Sequence, residues 1–120
     1  MMATHQPNLF QMPPEVAAAL QAGEESSGEY VEALLPDHGV LIERIISTGQ
    51  ASPEGFWYDQ ERDEWVVLLQ GEARLAWPDG KLLEMKAGDW VFLPAHERHR
   101  VEWTTKEPPC IWLAVHGRIR

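Results

Sequence analysis

WVVLLQGEARLAWPDGKLLEMKAGDWVFLP, residues 65–94, reads as four short strands joined by tight turns. Trp65 to Leu69 is apolar throughout and closes at Gln70-Gly71. Ala73 to Trp77 and Lys81 to Met85 flank Pro78-Asp79-Gly80, a hairpin signal in which Gly80 is free to take positive φ. Ala87-Gly88-Asp89 turns the chain into Trp90 to Leu93, and Pro94 stops that strand.

The same punctuation continues on either side. Upstream, Glu29 to Leu35 ends at Pro36-Asp37-His38-Gly39, and the β-branched run Val40 to Ile46 ends at Ser47-Thr48-Gly49. Downstream, His99 to Trp103 and Ile111 to Val115 complete the set, with His116 expected as an exposed polar end. Short, closely spaced strands predict an all-β sandwich or barrel over residues 29–120. Residues 1–28 differ. Pro13-Pro14, then Glu15 to Ala22 with Gly23 as a stop, predict one short helix in an N-terminal extension, lying outside the barrel or partly mobile. Trp65 to Leu69 and Ile111 to Val115 are apolar on both faces, and a strand with neither face wet needs cover on both sides. A homodimer is the expectation.

At 120 residues there is room for one domain. Ten basic against nineteen acidic residues give a formal charge of −9, which repels phosphate backbones and anionic lipids. Nucleic acid and membranes are therefore disfavoured as partners, and a small molecule is favoured. The longest apolar run, Ile111 to Val115, is too short to span a bilayer, and no secretory signal is read at Met1 to Gln11. Cys110 is the single cysteine, so no intrachain disulfide can form and a reducing cytoplasm is the expected location. A packing role for Cys110 is expected in preference to a nucleophilic one. No phosphate loop, nucleophile elbow or Cys-x-x-Cys pair is present.

Two spacings carry a resemblance. Glu64 precedes Gly71 by six intervening residues, Gly88 precedes Pro94 by five, and His99 follows five positions after that proline. This pattern resembles the two motifs of the cupin superfamily over roughly Val40 to Val115. The resemblance implies a double-stranded β-helix, or jelly-roll barrel, with a pocket inside it. It also implies that Glu64 and His99 occupy metal-ligand positions. The departures are as plain. The family's His-x-His is replaced within Trp57-Tyr58-Asp59-Gln60, its second-motif glycine by His96 and its final asparagine by Trp103.

Residues two apart on a strand share a face, so two registers stay open: Trp57 with Asp59 inward, or Tyr58 with Gln60. In the first, Asp59, Glu64 and His99 form a three-ligand set, with His96 as a fourth donor that could swing in. Such a set suits a divalent ion (manganese, iron, nickel or zinc) better than copper(I). In the second, Gln60 offers one neutral oxygen. Without a metal, Glu64 and His99 are polar groups of an empty pocket that need partners of their own. Trp57 is either a stacking wall for a ligand or a filler of the barrel. Of Glu43 and Arg44, one must face inward. An inward Arg44 would clamp a ligand carboxylate or phosphate, and an outward one would be structural.

Three functional readings follow. The first is a small-molecule binding domain with a polar pocket, with or without a divalent metal. The second is a metal-dependent enzyme of the isomerase, dioxygenase, lyase or decarboxylase type acting on a small polar metabolite, with Glu64 or Tyr58 available for acid–base work. The third is a structural role using the outer apolar faces.

Overall fold

Alternation of β-branched and aromatic residues with turn residues is realised, among the described residues, as eight strands. The computed structural model describes Ala3, residues 8–23 and residues 28–120; His5 and most of the expected loop after Gly23 lie outside the described residues. The elements are α1 (Pro14–Ala22), β1 (Tyr30–Ala33), β2 (Leu41–Ser47), β3 (Asp63–Gln70), β4 (Glu72–Ala76), β5 (Leu82–Lys86), β6 (Trp90–Leu93), β7 (Arg100–Thr104) and β8 (Cys110–Gly117). Pro14 opens α1, and Gly23 ends it in the left-handed conformation at φ 67°.

Two antiparallel sheets result, a five-stranded one in the order β1-β2-β8-β3-β6 and a three-stranded one in the order β5-β4-β7. This is the all-β architecture expected from the strand spacing, in the jelly-roll form that the family resemblance implies. Core residues come from both sheets: Val66, Leu68, Trp112 and Ala114 from the larger one, Ala73, Leu75 and Met85 from the smaller. None of the described helices is long and apolar enough to cross a membrane.

Gly71 joins β3 to β4 at φ 90°, where a Cβ would lie 2.8 Å from Cys110 Sγ and 3.0 Å from its Cα. Only glycine satisfies both the conformation and the space. Cys110 fills the floor beneath it, fully buried and bonded through sulfur to the Glu72 carbonyl, which is the packing role expected of it.

Registers decide which side chains enter the barrel. Glu64 lies opposite His116, Glu43 opposite Ala114, and Ser47 opposite Cys110, so these share the inner face of the larger sheet. Arg44 pairs with Leu113 and faces outward. There its guanidinium meets Glu32 and donates to the Leu9 and Gln11 carbonyls at 3.0 and 2.7 Å, tying the N-terminal segment to β2. Arg44 therefore does not reach the barrel pocket: Glu43 takes the inward position, and strand alternation sends its neighbour out.

Candidate ligand pocket

The barrel encloses a cavity of about 240 Å³, with polar groups at one end and apolar walls elsewhere. Its polar lining is Glu29, Glu43, Tyr58, Gln60, Glu64, His99 and His116. Val66, Leu75, Leu93 and Val101 supply hydrocarbon walls.

Tyr58 and His99 form an isolated antiparallel bridge, with Tyr58 N–H donating to the His99 carbonyl at 2.7 Å and His99 N–H donating back at 3.2 Å. Directly opposed residues share a face, and the two rings stack with centroids 5.3 Å apart. That bridge selects the register left open by the sequence. Tyr58 and Gln60 line the cavity; Trp57 and Asp59 do not. Trp57 lies under the guanidinium groups of Arg98 and Arg100, each 5.9 Å from its ring. Asp59 is half-exposed and accepts a 2.8 Å hydrogen bond from His96 Nδ1. His96 stands where the family has glycine, and its own backbone is left-handed at φ 66°, a conformation glycine adopts without strain.

The expected set of Asp59, Glu64, His99 and His96 is thus split. Glu64 and His99 meet at the cavity, while Asp59 and His96 pair outside it. Among the described residues no group of three or more His, Cys, Asp or Glu side chains is arranged to hold a metal ion. The residues at the family's four ligand positions are Tyr58, Gln60, Glu64 and His99, of which only the last two are strong donors for a transition metal. This donor set does not fit a resident divalent metal.

One pocket residue was not singled out by the sequence, one was left open as the alternative to Arg44, and one was read the other way. Glu29 and Glu43 are further carboxylates, and His116 is a buried imidazole where an exposed end was expected. β8 runs through Gly117, so Trp112, Ala114 and His116 occupy successive inward positions. Extending the period-2 pattern of residues 111–115 by one step would have found His116.

Each titratable group is shifted by its surroundings. Burial raises Glu64, and Glu43 and Glu29 add to the rise, while His116 opposes it. Burial likewise raises Glu29, offset in part by hydrogen bonding from Ser47 and Tyr58. The Tyr58 hydroxyl is pushed up to about 12 by burial and by the charges of Glu29 and Glu64, so it stays protonated. Burial lowers His99; its Nδ1 lies 2.9 Å from the Glu97 carbonyl, which can only accept, so Nε2 is left as an acceptor. For His116 burial pulls downward, but the 2.7 Å bond to Glu43 and the charge of Glu64 outweigh it and raise the imidazole. The pocket therefore holds one imidazole shifted toward its neutral form and one shifted toward its cationic form.

A cupin-domain family model matches residues 45–116. The chain belongs to the cupin superfamily. A "putative mannose-6-phosphate isomerase" from Ralstonia eutropha JMP134 is 42% identical, with 96% of this chain and 99% of that one aligned at a TM-score of 0.81. A cupin superfamily protein from Desulfitobacterium hafniense shares the fold at 20% identity, 78% and 81% coverage and a TM-score of 0.64. An RCS-specific HTH-type transcriptional activator of Escherichia coli (strain K12) is 36% identical over 56 residues, which is 47% of this cupin but only 19% of the activator's length.

Proposed function

We propose that this cupin binds a small organic molecule inside its barrel, held by Tyr58, Gln60, Glu64 and His99. The observation that carries this reading is the convergence of those side chains, from separate segments, on one cavity of about 240 Å³ with apolar walls. A concave, largely apolar space with a few convergent polar groups and shifted titratable residues is the usual form of a small-molecule site. Binding through the residues themselves is favoured over metal-dependent catalysis because two of the four ligand positions are occupied by Tyr58 and Gln60. A thermal-shift screen of metabolites on the purified protein tests it. A hit is expected to raise Tm in the native chain and to lose that effect in His99→Ala. Elemental analysis supplies the opposing outcome: stoichiometric manganese, iron, nickel or zinc that disappears in His99→Ala would overturn this reading in favour of the metal-dependent enzyme.

We also propose that the outer face of β3, β6 and β8 takes a second copy of the chain. Trp90 is 60% exposed there and lies 6.2 Å from Trp65, beside half-buried Val67, Phe92, Leu113 and Val115. None of these carries a charge, so on a chain of net charge −9 this is where two copies meet with least repulsion. Sedimentation should show a dimer that Trp90→Lys shifts to monomer. A native chain that is monomeric at micromolar concentration would end the proposal.

A further inference from the structure

We infer that the ligand is a small organic cation, an ammonium group on a short hydrocarbon body, with Glu64 as its counter-ion. The inference rests on the pocket being a ligand site and specifies what it takes.

Glu64 is 6% exposed, and among the described residues its carboxylate has no hydrogen-bond partner. The nearest donor is His116 Nε2 at 3.8 Å, and the hydrogen on that nitrogen is already engaged by Glu43 Oε1 at 2.7 Å. The Glu64 oxygens open on the cavity rather than being sealed from it, so a ligand that displaces water there must bring N–H donors of its own. The other carboxylates are provided for: Glu43 by His116, and Glu29 by the Ser47 hydroxyl at 3.1 Å. No lysine or arginine is found among the described residues lining the cavity, so within the chain only the His116 imidazole, at 3.8 Å, offsets the Glu64 charge.

The surroundings choose the sign of the ligand. Three carboxylates face the cavity against the two imidazoles, on a chain that is acidic overall. An anion entering would meet like charge at short range in a poorly solvated space. A sugar phosphate, the substrate class in the name of the Ralstonia relative, is therefore disfavoured here. An ammonium group carries the N–H donors Glu64 lacks, and it leaves a hydrocarbon body to lie against Val66, Leu75, Leu93 and Val101. At ~30 Å³ per water in the liquid, the volume accommodates about eight non-hydrogen atoms.

Isothermal titration of the full-length protein separates the cases, using n-hexylammonium chloride, hexan-1-ol, sodium hexanoate, glucose 6-phosphate and manganese chloride as probes at fixed ionic strength. Hexylammonium is expected to bind, with the isosteric alcohol and carboxylate at least tenfold weaker, and Glu64→Gln is expected to weaken the amine at least tenfold. Asp59→Asn, whose carboxylate lies outside the cavity, should bind the amine as the native chain does, and the amine-against-alcohol comparison on the native chain decides the cation if Glu64→Gln does not fold. Amine binding that Glu64→Gln leaves intact would overturn the counter-ion assignment. The alcohol, hexanoate or glucose 6-phosphate binding as tightly as the amine, in a manner lost in His99→Ala, would overturn the cation while leaving the pocket a ligand site. Manganese binding alone would replace the organic cation with a metal ion. Silence from every probe would remove both the inference and the reading beneath it.

Discussion

β2, β3 and β8 carry opposite chemistry at their two ends, although the same face of each points into the barrel. At one end the inward residues are Glu43, Glu64 and His116; at the other they are Ser47, Leu68 and Cys110. The second end is close-packed, with Leu68 and Cys110 fully buried and the one hydroxyl accepting from Trp112 Nε1 and donating to the Glu29 carboxylate, both at 3.1 Å. The first end keeps titratable groups on an open cavity, and among the described residues Glu64 has no hydrogen-bond partner. Antiparallel registers impose this division, because they place like residues of neighbouring strands side by side on one face. Stability is concentrated at one end of the barrel and chemistry at the other.

The largest effect should come from emptying the close-packed end. Leu68→Ala removes a side chain that is 0% exposed, and a loss of about 2–5 kcal/mol in urea unfolding is expected. A loss below ~1 kcal/mol would mean that this end is not the tight core described. Gly71→Ala should come next, at about 1–3 kcal/mol. It forces a Cβ into φ 90° against the Cys110 backbone. Thermal melts of the two variants rank them directly.

The polar end should respond in the other direction. Glu29, Glu43, Tyr58, His99 and His116 surround Glu64, and burial holds its carboxyl above the ordinary value of 4.5. The folded state thus binds a proton more tightly than the unfolded chain. That contribution to stability is complete below pH 4.5 and is lost as pH rises through the folded value. Glu64→Gln removes the loss, so it is expected to stabilise the protein at pH 7–8 by on the order of 1 kcal/mol, the scale of one buried unpaired polar group. At pH 4 its advantage should vanish. Equal Tm differences at the two pH values would show that Glu64 is not strained by burial.

The smallest effect is expected outside the barrel. Asp59→Asn should change the unfolding free energy by no more than about 0.5 kcal/mol and should not alter ligand binding, because Asp59 and His96 pair on the exposed side. A large effect on binding would place Asp59 back in the site and blur the division between pocket and surface.

Much of this molecule was legible before any coordinates. Each expected strand between Glu29 and Val115 has its counterpart, because Gly71, Gly80, Gly88 and Pro94 are local signals whose meaning depends only on their own backbone. The short helix closed by Gly23 is legible for the same reason. The site was legible in part. Glu64 and His99 followed from spacing, whereas the choice of Tyr58 and Gln60 over Trp57 and Asp59 needed the bridge to His99, a partner distant in sequence. Glu43 and Arg44 could not be told apart by strand pattern, since either satisfies alternation.

Sequence alone carried the all-β reading, because periodicity and turn chemistry are written residue by residue, and its resemblance to the cupin motifs put Glu64 and His99 at ligand positions. Only the tertiary structure decided which carboxylates share the cavity, that His116 joins them, and that Arg44, Asp59 and His96 stay out. The physical reason is that a strand's two faces are equivalent until pairing register picks one. That register is settled by packing between strands, not within them.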